Sequence, residues 1–461
     1  MKTYSKILVA LIVAAATSAC GPDAEIGAGE KGEGNAYFKK SYYDALVKSY
    51  KPEIVLKWNQ AVGLAIENKM PTIAEARIYA MTMLSMHDAL NNVIPKYEPY
   101  AILNAAINRK DLSKKNISQI ADAAVSQAAH DALVNLFPAA QGDADDLLAL
   151  CLSEIEDSEF KTRGITIGMD AASAVLAKRQ SDAPIGFISY MMGTEPGIHQ
   201  ANYLPYAIAN PPVWPANAAY GANVGSYVPF GIAATDQFRP GPPFVVSSAA
   251  YTADFNEVKK LGCTTCTERT AEQTEIGSFW KVNTSGPMNT IARNLAMQEK
   301  LNGWETARLL ALNQMAQIDA NIASFEGKYH YNFWLPITAI RAGDTDGNDD
   351  TQGDVNWTPT AIPPPTPDYP STPATAGGAS AEVFRQFFRT DNKSFIVTSP
   401  NSLPGVERSY TSFSAVSKEN AVSRIYLGSH FRNSCLEGEK QGQEIGKYVF
   451  ENNLREIAYP F

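Results

Sequence analysis

Apolar residues recur at three- and four-residue spacing over Ile54 to Glu67, Ile73 to Asn92, Ile117 to Phe137, Leu147 to Ile155 and Gly164 to Arg179. That is the period of a helix with one face turned inward. Small residues pervade these stretches, as in Ala121-Asp122-Ala123-Ala124-Val125-Ser126-Gln127-Ala128-Ala129, so the helices can approach closely and pack as a bundle. From about 183 to 245 the pattern breaks, with prolines at 184, 196, 205, 211, 212, 215, 229, 240, 242 and 243. Proline removes a backbone donor and clashes with the preceding turn, so this passage is extended loop. A loop of that length in a compact domain is usually functional or wraps the core. Helical periodicity resumes over Ser248 to Lys260, Arg269 to Trp280 and Met288 through Phe325. A second proline-rich passage follows, from Trp357 through Pro373, before helices return at Ala379 to Arg389, Ser412 to Ile425 and Cys435 to Asn453. No alternating run exceeds about five residues, near the usual strand length. The pattern predicts an all-α helical bundle with two long proline-rich loop insertions, a single domain over 41–461.

With 461 residues, 45% of them hydrophobic, the chain can bury one large core or two modest ones. A net charge of -9 and the lack of any Lys/Arg cluster exclude a nucleic-acid track. Lys2 and Lys6 precede the apolar run Ile7 to Ala16, followed by Thr17-Ser18-Ala19-Cys20-Gly21, which reads as a signal peptide over 1–19. Small residues before a cysteine resemble the bacterial lipoprotein pattern, with Cys20 lipidated. Thr17 departs from the usual Leu there, so plain secretion stays open as the alternative. Residues 20–40 then form a flexible linker. The apolar run is too short to span a bilayer, so any membrane contact runs through this anchor. Cys263 and Cys266 are spaced for a small disulfide, leaving Cys151 and Cys435 free or paired. A redox-active CxxC is the sharper reading, but no βαβ pattern surrounds it.

The chemistry concentrates at Ser423-Arg424-Ile425-Tyr426-Leu427-Gly428-Ser429-His430. Arginine offers a planar cationic fork suited to an oxyanion, and histidine can attack or ligate the central atom of that anion. The glycine two residues before His430 lets backbone approach closely. Two upstream segments read as partners: Lys328-Tyr329-His330-Tyr331-Asn332-Phe333-Trp334-Leu335-Pro336 and Pro370-Ser371-Thr372-Pro373-Ala374-Thr375-Ala376-Gly377-Gly378.

Together these segments resemble the vanadium-dependent haloperoxidase and type 2 phosphatidic acid phosphatase superfamily, in particular its bacterial haloperoxidase-like branch. That family reads Lys-x6-Arg-Pro, then Pro-Ser-Gly-His, then Ser-Arg-x3-Gly-x-His. Flanking segments such as Gln237-Phe238-Arg239-Pro240 and Thr338-Ala339-Ile340-Arg341 look like the same branch, so the likeness covers roughly 40 to 455. The resemblance implies a helical fold whose anion-site half spans about 248–455. It casts His430 as the axial ligand of vanadate, or as a phosphohistidine nucleophile. Lys328, Ser371, Thr372 and Arg424 match the groups that hold the anion's oxygens. Leu335 stands where the family has an arginine, Thr372 where it has glycine, and Pro373 where it has the acid–base histidine. Replacing the arginine forfeits charge-assisted bonds of roughly 1.5 to 3 kcal/mol each. Losing the histidine forfeits general acid–base catalysis on the order of 10²- to 10⁴-fold.

Other candidates are weaker. His330 is expected to pack beside Tyr331 and Trp334, and His87 and His130 to be structural. His199 reaches the site only if the loop from Gly193 to Gln200 folds over it. Asp344-Thr345-Asp346-Gly347-Asn348-Asp349-Asp350 suggests a Ca²⁺ loop through Asp344, Asp346 and Asn348, but lacks the downstream bidentate glutamate, so a solvated acidic turn is preferred. Two functions follow from the resemblance: peroxide-driven halide oxidation on vanadate, with phosphatase chemistry as its variant, or a degenerate anion-binding or scaffolding lipoprotein without cofactor. The partners implied are halide and peroxide or a small anion. A homodimer is expected only from how common two-fold oligomers are.

Overall fold

The computed structural model describes residues 41–104, 113–191, 193–200, 218–363, 365–399 and 403–457. The signal-peptide, lipidation and linker readings at 1–19, Cys20 and 20–40 lie outside the described residues. A helical lead-in over 41–49 precedes α1 (Glu53–Ile66), α2 (Thr72–Val93), α3 (Lys114–Leu136), α4 (Gln141–Ser153) and α5 (Glu159–Lys178). The second half holds α6 (Ala249–Leu261), α7 (Ala271–Phe279), α8 (Ser285–Gln298), α9 (Gly303–Tyr331), α10 (Pro336–Ala342), α11 (Thr372–Phe388), α12 (Phe413–Tyr426) and α13 (Arg432–Asn452). The architecture is all-α, as the periodicity predicted.

The expected helix from Met288 through Phe325 is two. Between α8 and α9, Lys300 takes a left-handed φ of 55°, and Asn302 caps α9 in a reciprocal box with Glu305. Such a box satisfies two of the orphan donors at a helix start, so a new helix is favoured over continuation of the old one. Among the described residues four short strands accompany the helices, two of them longer than the limit of about five residues set by the alternating runs. β3 (Asn392–Thr398) pairs antiparallel with β4 (Glu407–Ser412), turning Phe395 and Val397 inward. A short pair, β1 (Phe187–Ser189) with β2 (Ala218–Tyr220), flanks the first proline-rich passage.

Helix α9 is the axis of the fold, buried along most of its 29 residues and packed against α2 on one side and α11 and α13 on the other. Glycine lets the helices close. Gly438, Gly442 and Gly446 line one face of α13 at four-residue spacing, and a methyl at Gly438 would sit 2.7 Å from the Ser371 carbonyl of the α11 start. Close approach here matters because Ser371 begins the second motif.

Two buried aspartates fasten loops to this frame by the same device. Asp88 on α2 accepts the backbone N–H groups of Tyr100, Ala101 and Ile102. Asp319 on α9 accepts those of Phe230, Gly231 and Ile232 at 2.6, 2.6 and 2.9 Å. Arg179 adds a bond to the Val228 carbonyl at 2.6 Å and lies 3.9 Å over the Phe230 ring. The described part of the first proline-rich passage therefore wraps the core. Asp344, Asp346 and Asn348 spend their side-chain oxygens on turn backbone: Asp344 accepts from Gly353, Asp346 from Asn348, and Asn348 from Asp350. The acidic segment is a hydrogen-bonded turn, and among the described residues no group of three or more His, Cys, Asp or Glu is placed to hold a metal ion.

Candidate functional site

Lys328 occupies the last turn of α9 and is 2% exposed. Its Nζ donates to the carbonyls of Pro367 at 2.6 Å and Asp368 at 2.9 Å, leaving one of three ammonium donors for another acceptor. The helix stops at Asn332, whose left-handed φ of 50° turns the chain into Phe333, Trp334 and Leu335. Leu335 is fully buried among aromatic neighbours. No charge stands at that position, and the surroundings are apolar enough to make one costly.

Asp368 is held to this turn by its own N–H, which donates to the Phe333 carbonyl at 2.8 Å. Fully buried, it accepts the Nδ1–H of His430 at 2.7 Å and the hydroxyl of Ser434. That bond assigns the His430 proton to Nδ1 and leaves the lone pair on Nε2, the arrangement by which a carboxylate behind the ring orients a ligating imidazole. Burial pushes the His430 pKa below its ordinary value against the pull of Asp368, with Lys328 and Arg424 adding to the downward push. The imidazole is therefore neutral and nucleophilic at pH 7.

Ser371 stands just before the first turn of α11 and makes no side-chain capping bond. Its N–H donates to the Ser434 carbonyl at 2.9 Å, while its Oγ, fully buried, has no protein partner. Thr372 accepts from the Ser324 hydroxyl at 2.9 Å. Pro373 offers only a carbonyl, taken by Asn420 Nδ2 at 2.7 Å. Arg424, 7% exposed, donates from Nη2 to the Trp280 carbonyl at 2.7 Å, and its Nε is unpartnered. Burial lowers its pKa, yet a guanidinium stays cationic in a protein. Gly428 has φ of 72°, and a methyl there would lie 2.5 Å from the Gly262 carbonyl. This is the close approach expected of that glycine, and it carries the chain from Arg424 back to His430.

The structure thus brings Lys328 and His430 together on Asp368, and Ser371 onto Ser434, the residue that also holds Asp368. Arg424 joins this cluster through Asn420, whose Oδ1 accepts from Nη2 at 3.3 Å and whose Nδ2 donates to the Pro373 carbonyl. Asp368 escaped the sequence reading. Its one signal was a carboxylate directly before the Tyr369-Pro370-Ser371 run. Cys435 is also buried here, its thiol pushed up by burial, and the expected Cys263–Cys266 disulfide is formed.

The other histidines separate cleanly. His87 pairs with Asp88 at 3.2 Å, and His130 bridges Asp131 and Asp145 at 2.8 and 2.7 Å. His330 is exposed, set edge-on to Tyr331 alone of its two expected neighbours, because the last turn of α9 rotates it toward solvent. His199 is the surprise: the loop from Gly193 does fold over this region. Its N–H donates to the Asn332 carbonyl at 2.8 Å, Gly197 O accepts from Trp334 N at 3.0 Å, and Ile198 bridges to Phe333.

Comparison with known proteins agrees with this fold. Residues 308–458 match the family model described as the VCPO second helical-bundle domain. The chain is 24% identical to the vanadium chloroperoxidase of Curvularia inaequalis over 84% of its own length and 79% of that protein. Among solved structures it is similar to a bacterial vanadium-dependent iodoperoxidase, with a TM-score of 0.68 and 21% identity over 90% of this chain and 97% of that one. The apo form of a bacterial vanadium-dependent chloroperoxidase gives a TM-score of 0.66 and 16% identity, covering 84% of this chain and 94% of that one.

Proposed function

We propose that the chain belongs to the vanadium-dependent haloperoxidase superfamily, whose fold it shares, and that the cluster around His430 holds vanadate and supports peroxide-driven oxidation of halide. The observation that carries this reading is a set of buried polar groups left without protein partners: Ser371 Oγ, Arg424 Nε and the third donor of Lys328. A buried donor left unpaired costs about 1–3 kcal/mol, so such a set calls for an acceptor-rich guest. In the proposed complex Lys328, Ser371, Arg424 and the Thr372 backbone hold its oxygens, and His430 Nε2 its central atom. Bound vanadate would supply the Lewis acidity that activates peroxide toward halide. The chain's part is to fix the imidazole tautomer through Asp368, neutralise the anion's charge, and exclude water with the aromatic cluster of Tyr251, Phe333, Trp334 and Phe431.

Leu335 and Pro373 favour a second reading, an oxyanion-binding protein without turnover. Both readings treat the chain as exported, either anchored through Cys20 or secreted; the disulfide, suited to an oxidising compartment, supports export. The deciding experiment loads the protein with orthovanadate and follows iodide and bromide oxidation by peroxide. Vanadate-dependent turnover above that of His430→Ala is expected; tight binding with no turnover would leave only the second reading.

A pH dependence follows from Lys328. Burial pulls its pKa down to about 8, against the attraction of Asp368. Below that pH the ammonium is present for an anion. Above it, binding must first recover a proton, so affinity should fall about tenfold per pH unit until the pH reaches the higher pKa that Lys328 takes beside the bound anion. Molybdate, a dianion throughout this range, is the suitable probe for calorimetry. A flat profile between pH 7 and 10 would remove Lys328 from the site.

A further inference from the structure

We infer that His199 donates a ring N–H to the bound oxyanion beside Lys328, bringing an imidazole to a site where Pro373 leaves none. The inference rests on the oxyanion reading above and deepens it. His199 is fully buried, and neither ring nitrogen has a protein partner. Of the chain's five histidines it alone combines these properties, since His87, His130 and His430 are hydrogen-bonded and His330 is exposed. An imidazole carries one donor and one acceptor when neutral, and sealing both away from water without a partner is costly. Something polar belongs against this ring.

Its neighbours indicate what. The strap from Gly197 to His199 runs antiparallel to Asn332–Trp334, and in an extended segment Ile198 and His199 point to opposite faces. The Phe333 carbonyl within that stretch also receives the N–H of Asp368, so His199 is fastened to the same short segment that holds the carboxylate orienting His430. Lys328 is the charge that acts on His199, and with burial it holds the ring neutral, its pKa pushed down to about 3. A neutral ring beside an ammonium is a poor partner for a cation and a good donor to an anion. Gly197, at φ of 85°, has Val246 3.2 Å from where a methyl would stand, so the strap is held closely in this path.

Calorimetry with orthovanadate and with inorganic phosphate tests this on wild type, His199→Phe and His199→Gln. Loss of one hydrogen bond to a charged group predicts roughly tenfold weaker binding of both anions by His199→Phe, with much of the affinity retained by His199→Gln, whose amide still donates. Should His199→Phe fail to fold, ¹⁵N-histidine NMR of the wild type answers the question, because the ring nitrogens of His199 must shift when phosphate is added. Affinity of a folded His199→Phe within twofold of wild type, or a ring that does not respond to anion, overturns the inference alone. A wild type that binds neither anion overturns the oxyanion reading and this inference with it.

Discussion

His430→Ala is expected to lose vanadate retention altogether and to oxidise iodide no faster than free vanadate in buffer. The expectation follows from the division of labour in the cluster. Lys328, Ser371 and Arg424 offer hydrogen bonds and charge, but only His430 offers a lone pair for the central atom of the anion, and Asp368 fixes which nitrogen carries it. Asp368→Asn should be milder: an amide oxygen still accepts the Nδ1–H, but the ring loses the negative charge that makes Nε2 basic. Removing a partner of this kind commonly costs about 10- to 100-fold in affinity. Asp368 also supports the charge of Lys328, so Asp368→Asn should shift the pH profile of molybdate binding to lower pH. Vanadate uptake and iodide oxidation measured on both variants, with circular dichroism to establish folding, give the ordering. A His430→Ala protein that keeps even a tenth of wild-type turnover would remove the histidine from its assigned role.

What could be read from the chain alone, and what could not, divides by the range of the interaction. Helical periodicity is local, and α1, α2 and α12 fall within a few residues of their expected bounds because their apolar faces are continuous. The split between α8 and α9 depends on a capping box at Asn302 and Glu305 that lies inside an otherwise unbroken periodic run. Helix α11 starts at Thr372 rather than Ala379 because Pro373 sits in the first turn, where its missing N–H costs nothing. A proline counted as a breaker was in fact an opener. The β3–β4 hairpin escaped because only Phe395 and Val397 of its first strand face inward, too few to establish a period.

The site divides the same way. Arg424, Gly428 and His430 announce themselves by spacing within one segment. Asp368 does not, since its role depends on His430, 62 positions away, and on Ser434. The burial of His199 was equally beyond local reading: it requires the strap to register against Asn332–Trp334. The long proline-rich passage was legible as a wrap, but what fastens it was not.

That fastening supports the second large prediction. Asp319→Ala should destabilise the protein by roughly 3 to 9 kcal/mol, because three consecutive buried N–H groups lose their acceptor at about 1–3 kcal/mol each. Against a typical stability of about 5–15 kcal/mol this is severe, and for a chain of this size it corresponds to a Tm lower by about 3 to 9 °C. The pH dependence gives a second signature. Burial raises the Asp319 pKa to about 6 despite the three amide donors. Between the ordinary aspartate value of ~3.9 and about 6 the folded state therefore holds more protons than the unfolded one, and this group's contribution to stability falls as pH rises through that window. Asp319→Asn should abolish that slope as well as weaken the anchor. The consequence reaches the site, because the passage beginning at Phe230 continues to Arg239, which pairs with Glu326 at 2.9 Å, and to Pro240 and Gly241, whose carbonyls receive the hydroxyls of Tyr331 and Tyr369. Tyr369 adjoins Asp368, so an anchor about 13 Å along α9 from Lys328 helps set the position of the carboxylate that orients His430. Thermal unfolding of Asp319→Ala, followed by molybdate calorimetry well below its Tm, separates the two effects. Unchanged unfolding would show that the three amides find other partners, and unchanged affinity in a destabilised protein would confine Asp319 to holding the wrap.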